Sequence, residues 1–376
     1  MNDAGVIQAA MDEAVREGVF PGGVLAGRTN GDLRVLVVAG RLSSDPHADG
    51  VHPSTIYDLA SLTKPLATVT SVLLLVQAGK LELDAAIGNV LVELKRAPIG
   101  SASLRDLLTH RSGLPGWRPL YESLNAEGLA WGRGEPNIVR QAVLRVIGNE
   151  PLLSPIGTQS VYSDLGFILL GCAVERASGQ LLDEYFDAAV CQRLGAGPLF
   201  FRRASAAGPS EGKNRPTAAS FAPTEWDAWR KRVLQGEVHD ENAAAMGGVA
   251  GHAGLFGTAE AVLAVSGAWL AAYHGDETFL DGRLVREFIK RPSRPPEASW
   301  ALGWDTPTAP SSSGTYFSAE SFGHLGFTGT SLWIDPLRKL EVVLLTNRVY
   351  PSRTNDGIRA FRPRIHDLIY RELTRG

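Results

Sequence analysis

Cysteine is almost missing from this chain: Cys172 and Cys191 are the only two in 376 residues. Both sit in apolar or helical-looking stretches without metal-ligand spacing, so they read as buried thiols and imply no disulfide framework. A run of about 18 apolar residues is lacking too, so no stretch reads as a membrane segment. The opening, Met1-Asn2-Asp3-Ala4, has neither a basic region nor an apolar stretch ahead of a small-residue cleavage site. As written, the chain is expected in the cytoplasm; removal of a signal peptide would make the same sequence periplasmic or secreted. Charge of one sign is not concentrated either. With 37 Lys and Arg against 40 Asp and Glu, the formal net charge is -3. No basic run is present, which argues against nucleic acid as a partner.

Familiar catalytic signatures are missing as well. There is no Gly-x-Ser-x-Gly, which argues against the nucleophile elbow of an α/β-hydrolase. No His-Glu-x-x-His occurs, and Val238-His239-Asp240-Glu241-Asn242 has only His252 as a histidine neighbour, so no zinc or other metal site is expected. The stretch Gly247-Gly248-Val249-Ala250-Gly251-His252-Ala253-Gly254 has no strand before it and no Gly-Lys-Ser/Thr after it. It reads as a mobile loop rather than a phosphate cradle, with His252 open to either a cleft-lining or a structural role.

What is present is an ordinary globular composition, 44% apolar and 20% charged, long enough for one large or two coupled cores. Ile7, Ala10, Met11, Ala14 and Val15 recur at helical spacing. Strand candidates at Gly23 to Ala26 and Leu33 to Ala39 flank Thr29-Asn30-Gly31-Asp32, a hairpin signal. From about residue 60 to 290 the pattern is mostly helical, including Ser61 to Gln77, Leu104 to His110, Ile138 to Ile147, Gly166 to Arg176 and Ala259 to Ala272. Strands return at Ala301 to Trp304, Thr330 to Ile334 and Leu340 to Thr346, before a closing helix near Ile358 to Leu373. This predicts an α+β fold. Residues 1–60 and 291–376 form an antiparallel sheet flanked by helices, residues 61–290 form a mostly helical domain, and the active-site cleft lies between them. Ala204 to Ala219 and Pro292 to Pro296 read as loops.

Ser61-Leu62-Thr63-Lys64 opens a helix after the strand-like Thr55 to Leu59, with Pro65 in its first turn. At i and i+3 the two side chains share a face, about 5–6 Å apart at Cβ. A serine alcohol needs a base, and Lys64 supplies one if burial lowers its pKa. The helix start leaves the Ser61 N–H available to an oxyanion. The spacing alone is weak, since Ser210-Glu211-Gly212-Lys213 matches it in a loop candidate with no apolar helix behind. Tyr162-Ser163-Asp164 precedes an apolar helix. Tyr162 can relay a proton if Lys64 lowers its pKa, or simply pack while Asp164 caps the helix. Gly323-His324-Leu325-Gly326-Phe327-Thr328-Gly329-Thr330 leads into a strand whose glycine-rich edge offers N–H groups to substrate. There His324 is open to a structural role or to bonding substrate or the Tyr162 oxygen.

Taken in order, Ser-x-x-Lys, Tyr-Ser-Asp about a hundred residues later and His-Leu-Gly near the end resemble the three motifs of the serine β-lactamase and penicillin-binding-protein superfamily. That superfamily includes class C β-lactamases, D-alanyl-D-alanine carboxypeptidases and family VIII carboxylesterases. Asp58 to Lys64, Leu107-Leu108-Thr109-His110-Arg111-Ser112-Gly113-Leu114 and Gly323 to Pro336 are similar to it too, so the resemblance spans nearly the whole chain. It implies the β-lactamase/transpeptidase-like fold and a serine hydrolase working through an acyl-enzyme on ester or amide substrates, β-lactams and D-alanyl peptides among them. It also implies Ser61 as nucleophile, Lys64 and Tyr162 as the proton-transfer pair, Asp164 at the usual Asn position, and Ser61 and Phe327 N–H groups as the oxyanion hole, with His324 and Gly326 on the substrate wall. No cofactor is implied; the partner is a small-molecule or peptide substrate, and the oligomeric state is left open.

Two departures bear on substrate. His324-Leu325 stands where Lys-Thr is usual, losing an ammonium, which His324 replaces in part, and a hydroxyl, which Leu325 does not. Asp164 loses an amide donor. Both lean away from efficient β-lactam or D-alanyl-D-alanine turnover, toward an esterase or an uncharacterised amidase; the alternatives are a penicillin-binding sensor or scaffold that acylates without turnover and a carboxylesterase with no β-lactam activity. The eight tryptophans read as core or cleft-wall residues.

Overall fold

The computed structural model describes residues 3–204, 221–293 and 298–374. Ser210 to Lys213, and residues 205–219 and 294–296 of the two expected loops, lie outside them. Along the chain the strands are Gly22–Thr29 (β1), Asp32–Gly40 (β2), Tyr57–Asp58 (β3), Leu199–Phe201 (β4), Trp226–Asp227 (β5), Arg232–Val233 (β6), Leu255–Gly257 (β7), Phe322–Leu325 (β8), Ser331–Asp335 (β9) and Leu340–Thr346 (β10). The main sheet is antiparallel, in the order β2-β1-β10-β9-β8, so its middle is made where the two ends of the chain meet. The β1–β2 hairpin turns on Asn30 and Gly31, both with positive φ (52° and 86°), the primed two-residue turn that suits strand twist.

Alternation along the strands sorts side chains to two faces. Leu25, Val342 and Leu344 face the helices Asp3–Arg16 and Ile358–Thr374, packing with Ile7, Met11, Ile365 and Ile369. Val24, Ala26, Val343 and Leu345 join the larger core shared with the central helices. On that inner face helix Ala259–Tyr273 packs against β1 and β10. Arg28 ties the two together, bonding Glu341 at 2.6 Å and the Leu263 carbonyl at 2.5 Å. Helices Thr70–Gln77, Pro136–Gly148 and Asp164–Ser178 bury Leu73, Val143 and Phe167 in the same core. The architecture is α+β: an antiparallel sheet flanked by helices, with a further helical body.

Several expected details change. Ala301 to Trp304 is a tight turn rather than a strand, with Gly303 at φ 82° and the Ala301 N–H donated to Trp304 O at 2.8 Å. Of Thr55 to Leu59 only Tyr57–Asp58 forms a strand, within a small sheet ordered β3-β7-β4, while Ile56 makes a single bridge to Phe221. Its strands are two or three residues long, too short to show alternation in sequence. Residues 248–254, expected as a mobile loop, are buried; the Gly251 carbonyl accepts the Thr68 hydroxyl at 2.6 Å.

Candidate active site

The stretch after β3 is helical but unevenly wound: a 3-10 turn at Ala60–Leu62, a π turn at Lys64–Val69, then α-helix at Thr70–Gln77. Such π turns gather at functional sites. Ala60 holds φ 48°, a region that residues with a Cβ rarely enter. Two bonds fix it there: the Ala60 N–H donates to Asp58 Oδ1 at 2.8 Å and the Leu59 N–H to Leu255 O at 2.9 Å. Buried Asp58 also accepts the His239 N–H on Oδ2 at 2.6 Å. By length and composition Ala60–Gln77 could cross a bilayer, yet 83% of it is buried inside the protein.

Lys64 is fully buried. An ammonium has three N–H donors, and Nζ has three acceptors in reach: Ser61 Oγ at 3.0 Å, His252 O at 3.1 Å and Asp164 Oδ1 at 2.7 Å. Burial, the largest single influence, presses Lys64 toward its neutral form, but Asp164 and Tyr162 together outweigh it and the net shift is upward. The expected drop in the Lys64 pKa is therefore corrected: the resting group is an ammonium. Tyr162 lies alongside, its ring centroid 4.9 Å from Nζ, close enough to interact with Lys64 and Ser61. Burial raises its pKa by more than Lys64 lowers it, so the expectation of an acidified phenol is corrected in the same way. Asp164 does not cap its helix. Ser163 does, its Oγ accepting the Gly166 N–H at 3.3 Å, which leaves Asp164 in the first turn to face Lys64.

His110 belongs to the site and was not singled out from sequence. Its ring stacks 4.6 Å from Tyr162 and 4.8 Å from Trp300, and its Nδ1 accepts the Ser163 N–H at 3.0 Å. The surrounding Leu107–Leu114 segment carried family likeness, but nothing in its spacing pointed to Tyr162. Burial, with the Lys64 charge adding to it, holds His110 well below the usual histidine range.

His324 is corrected more sharply. Its ring centroid is 6.0 Å from that of Tyr162 and its Nδ1 proton goes to the Leu325 carbonyl at 2.8 Å, so it does not bond the Tyr162 oxygen. Burial, with Lys64 adding to it, lowers its pKa to about 3, so it is neutral and replaces no ammonium. His324→Asn is therefore expected to leave the acid side of the kcat/KM pH profile where it is in the wild type. An acid limb near pH 6 that vanishes in the variant would refute a neutral His324.

The β8–β9 turn carries Gly326 and Phe327. The Thr328 hydroxyl donates to Asp58 O at 2.7 Å and the Thr330 hydroxyl to Leu59 O at 3.1 Å, laying the turn across the residues that lead into Ser61. The strand edge expected to be open is partly taken: Asp305 and Gly323 exchange N–H···O bonds at 2.8 and 2.9 Å. The tryptophans divide. Trp269, Trp304 and Trp333 are core residues, Trp300 touches the site, and Trp226 is exposed. Trp117, Tyr121, Trp229 and Trp131 form a continuous wall with ring spacings of 6.5, 4.7 and 3.9 Å. It starts next to Gly116, whose carbonyl accepts the Asp164 N–H at 2.8 Å.

Cys172 and Cys191 are buried free thiols, each pushed up to about 12 by burial. His239 bonds Glu225 at 2.9 Å and His252 bonds Asp240 at 2.8 Å. Among the described residues no three His, Cys, Asp or Glu converge as metal ligands.

Over 328 residues the chain is 30% identical to a putative D-alanyl-D-alanine carboxypeptidase of Salmonella agona (strain SL483), covering 81% of this chain and 72% of that one. Its fold is similar to EstCE1, a hydrolase with promiscuous acyltransferase activity (TM-score 0.73, 20% identity, 98% of each chain). It is likewise similar to the octameric penicillin-binding protein homologue from Pyrococcus abyssi (TM-score 0.69, 20% identity, 95% of this chain and 76% of that one). The sequence model of the Beta-lactamase family matches residues 7–362, a span that includes Ser61, Lys64, Tyr162 and His324, and the chain belongs to the Beta-lactamase family of serine hydrolases.

Proposed function

We propose that this member of the family hydrolyses esters without a free carboxylate beside the scissile bond, in preference to β-lactams and D-alanyl peptides. The observation that carries this is the substrate wall: His324 is neutral and its Nδ1 proton is already donated to Leu325 O, while Leu325 is apolar. Two guanidinium groups reach the Phe327 ring, and both are held by protein groups. Arg353 is paired with Glu225 and Glu241, and Arg348 donates to the carbonyls of Phe327, Arg353 and Asn355. A substrate carboxylate placed against His324 and Leu325 would lose water without gaining a cation from either.

In this reading Ser61 Oγ bonds to the ester carbonyl carbon. Its proton passes to Tyr162 Oη as the Tyr162 proton passes to the departing alkoxide oxygen, and the acyl C–O bond breaks to release the alcohol. Water then attacks the acyl-Ser61 carbon, giving a proton to Tyr162 Oη while Tyr162 returns one to Ser61 Oγ, which frees the acid. Such a relay starts from a neutral phenol and an ammonium, the states favoured by the raised pKa values of Tyr162 and Lys64. Lys64 steadies the partial negative charge on the Tyr162 oxygen, and the Ser61 and Phe327 N–H groups hold the oxyanion.

The test compares p-nitrophenyl acetate, nitrocefin and an acylated D-alanyl-D-alanine peptide, with intact mass to follow acylation. Ester turnover at least about tenfold faster than the other two supports the proposal. A second reading, D-alanyl carboxypeptidase, draws support from the name of the 30%-identical Salmonella relative, and release of D-alanine as the fastest reaction would favour it. Nitrocefin adducts that form stoichiometrically with no ester turnover would favour a sensor.

A further inference from the structure

Two consecutive residues, His239 and Asp240, reach both members of the Ser61–Lys64 pair. The His239 N–H donates to Asp58 Oδ2, and Asp58 Oδ1 holds the Ala60 N–H just before Ser61. Asp240 Oδ1 accepts the His252 Nε2 proton at 2.8 Å, and the His252 carbonyl accepts the Lys64 ammonium at 3.1 Å. Arg230 steadies the clamp from behind, giving Nη1 to Val238 O at 2.6 Å and Nη2 to His239 O at 2.7 Å, while pairing with Asp227 at 3.0 Å. The His252 side chain is buried, and its Nδ1 has no partner among the described residues.

We propose that Asp240 and His252 are positioning residues for Lys64: the His252 carbonyl fixes one ammonium N–H, the Asp240 carboxylate anchors His252, and Asp240 brings a second negative charge to the ammonium. The inference rests on the reading of Lys64 as a working ammonium. The groups facing Lys64 are Asp164 in direct contact, Tyr162 alongside it, Ser61 hydrogen-bonded to it, the carboxylate of Asp240, the neutral rings of His110 and His324, and His252 through its carbonyl. Burial raises the Asp240 pKa, but His252, the Ala243 N–H and Lys64 together lower it by more, so the carboxylate stays charged. Its field favours the protonated amine. Without that charge the Lys64 pKa falls, and the alkaline limb of activity, which marks loss of the ammonium, moves to lower pH.

Asp240→Asn separates charge from shape, because Asn still caps helix Glu241–Ala245 and its Oδ1 still accepts from His252. The expected result, with p-nitrophenyl acetate as the probe, is an alkaline limb of kcat/KM lower by about half a pH unit or more, with KM within about twofold of wild type. His252→Ala is expected to lower kcat about tenfold or more at unchanged KM, and His252→Gln, which keeps a donor for Asp240, to recover most of it. If His252→Ala does not fold, Asp240→Asn and His252→Gln decide. A wild-type pH profile in Asp240→Asn together with wild-type kcat in the folded His252 variants would overturn the inference. Ser61→Ala run in parallel separates the failures. An inactive Ser61→Ala beside normal clamp variants sinks only the clamp, and an active Ser61→Ala sinks the catalytic reading with it.

Discussion

Ser61→Ala and Lys64→Met are each expected to lower ester turnover by at least about 10³-fold, yet to affect stability very differently. Ser61→Ala removes one of three acceptors around the Lys64 ammonium and leaves Asp164 and the His252 carbonyl in place. Its melting temperature should stay close to wild type. Lys64→Met fills the same space but leaves the Asp164 carboxylate, only 18% exposed, without its cation. Breaking a buried pair by removing one partner costs about 3–5 kcal/mol, so a clearly lower melting temperature is expected. The pH dependence gives a second check with a definite sign. The Lys64 pKa is raised in the folded protein. Its stabilisation is therefore complete below the unfolded value of about 10.4 and is lost as pH rises through the folded value. Melting scans from about pH 9 upward should stay level to about pH 10 and then show this fall in wild type and not in Lys64→Met. Equal stability of the two variants across that range would mean that the Lys64–Asp164 pair does not hold the site together.

The sheet was legible because its signals are local. Period-two alternation and the Asn30-Gly31 turn mark β1 and β2, and the apolar run from Leu340 marks β10. The pairing of Ser61 with Lys64 was legible for the same reason, being one turn of helix. What stayed hidden is long-range. Nothing near Asp164 or Tyr162 in sequence says that they face Lys64, a hundred residues away, and together they reverse the expected protonation of the site. His324 misled because histidine was read by its free pKa, whereas its charge is set by burial and by Lys64. His110 and Trp300 close around Tyr162 through packing that only the folded chain defines. Ala301 to Trp304 looked like a strand because a short apolar run fits strand or turn, and the backbone at Gly303 decided for the turn.

The second large effect is expected at Gly326→Ala. A Cβ there would lie 2.6 Å from the Leu59 carbonyl and collide with Thr330 Oγ1. Neither can give way cheaply. The Leu59 carbonyl is backbone beside the nucleophile, already accepting the Thr330 hydroxyl, and Gly326 itself is fixed by its N–H to Thr330 O and by Arg362 on its carbonyl, both at 2.7 Å. The turn must therefore lift off Asp58 and Leu59, carrying the Phe327 N–H away from the Ser61 carbonyl partner. Losing one oxyanion donor removes about 2.7–4 kcal/mol of transition-state stabilisation, so kcat should fall about 10²–10³-fold with the protein still folded. Gly323→Ala is the informative contrast. Its Cβ would meet Trp333 Cδ2 at 2.5 Å and the Leu332 carbonyl, inside the sheet and short of the turn, so it should lower the melting temperature while the folded fraction keeps most of its kcat. If Gly326→Ala kept wild-type kcat, the β8–β9 turn would not be the oxyanion wall, and the acyl-enzyme would have to draw its second donor from another part of the cleft.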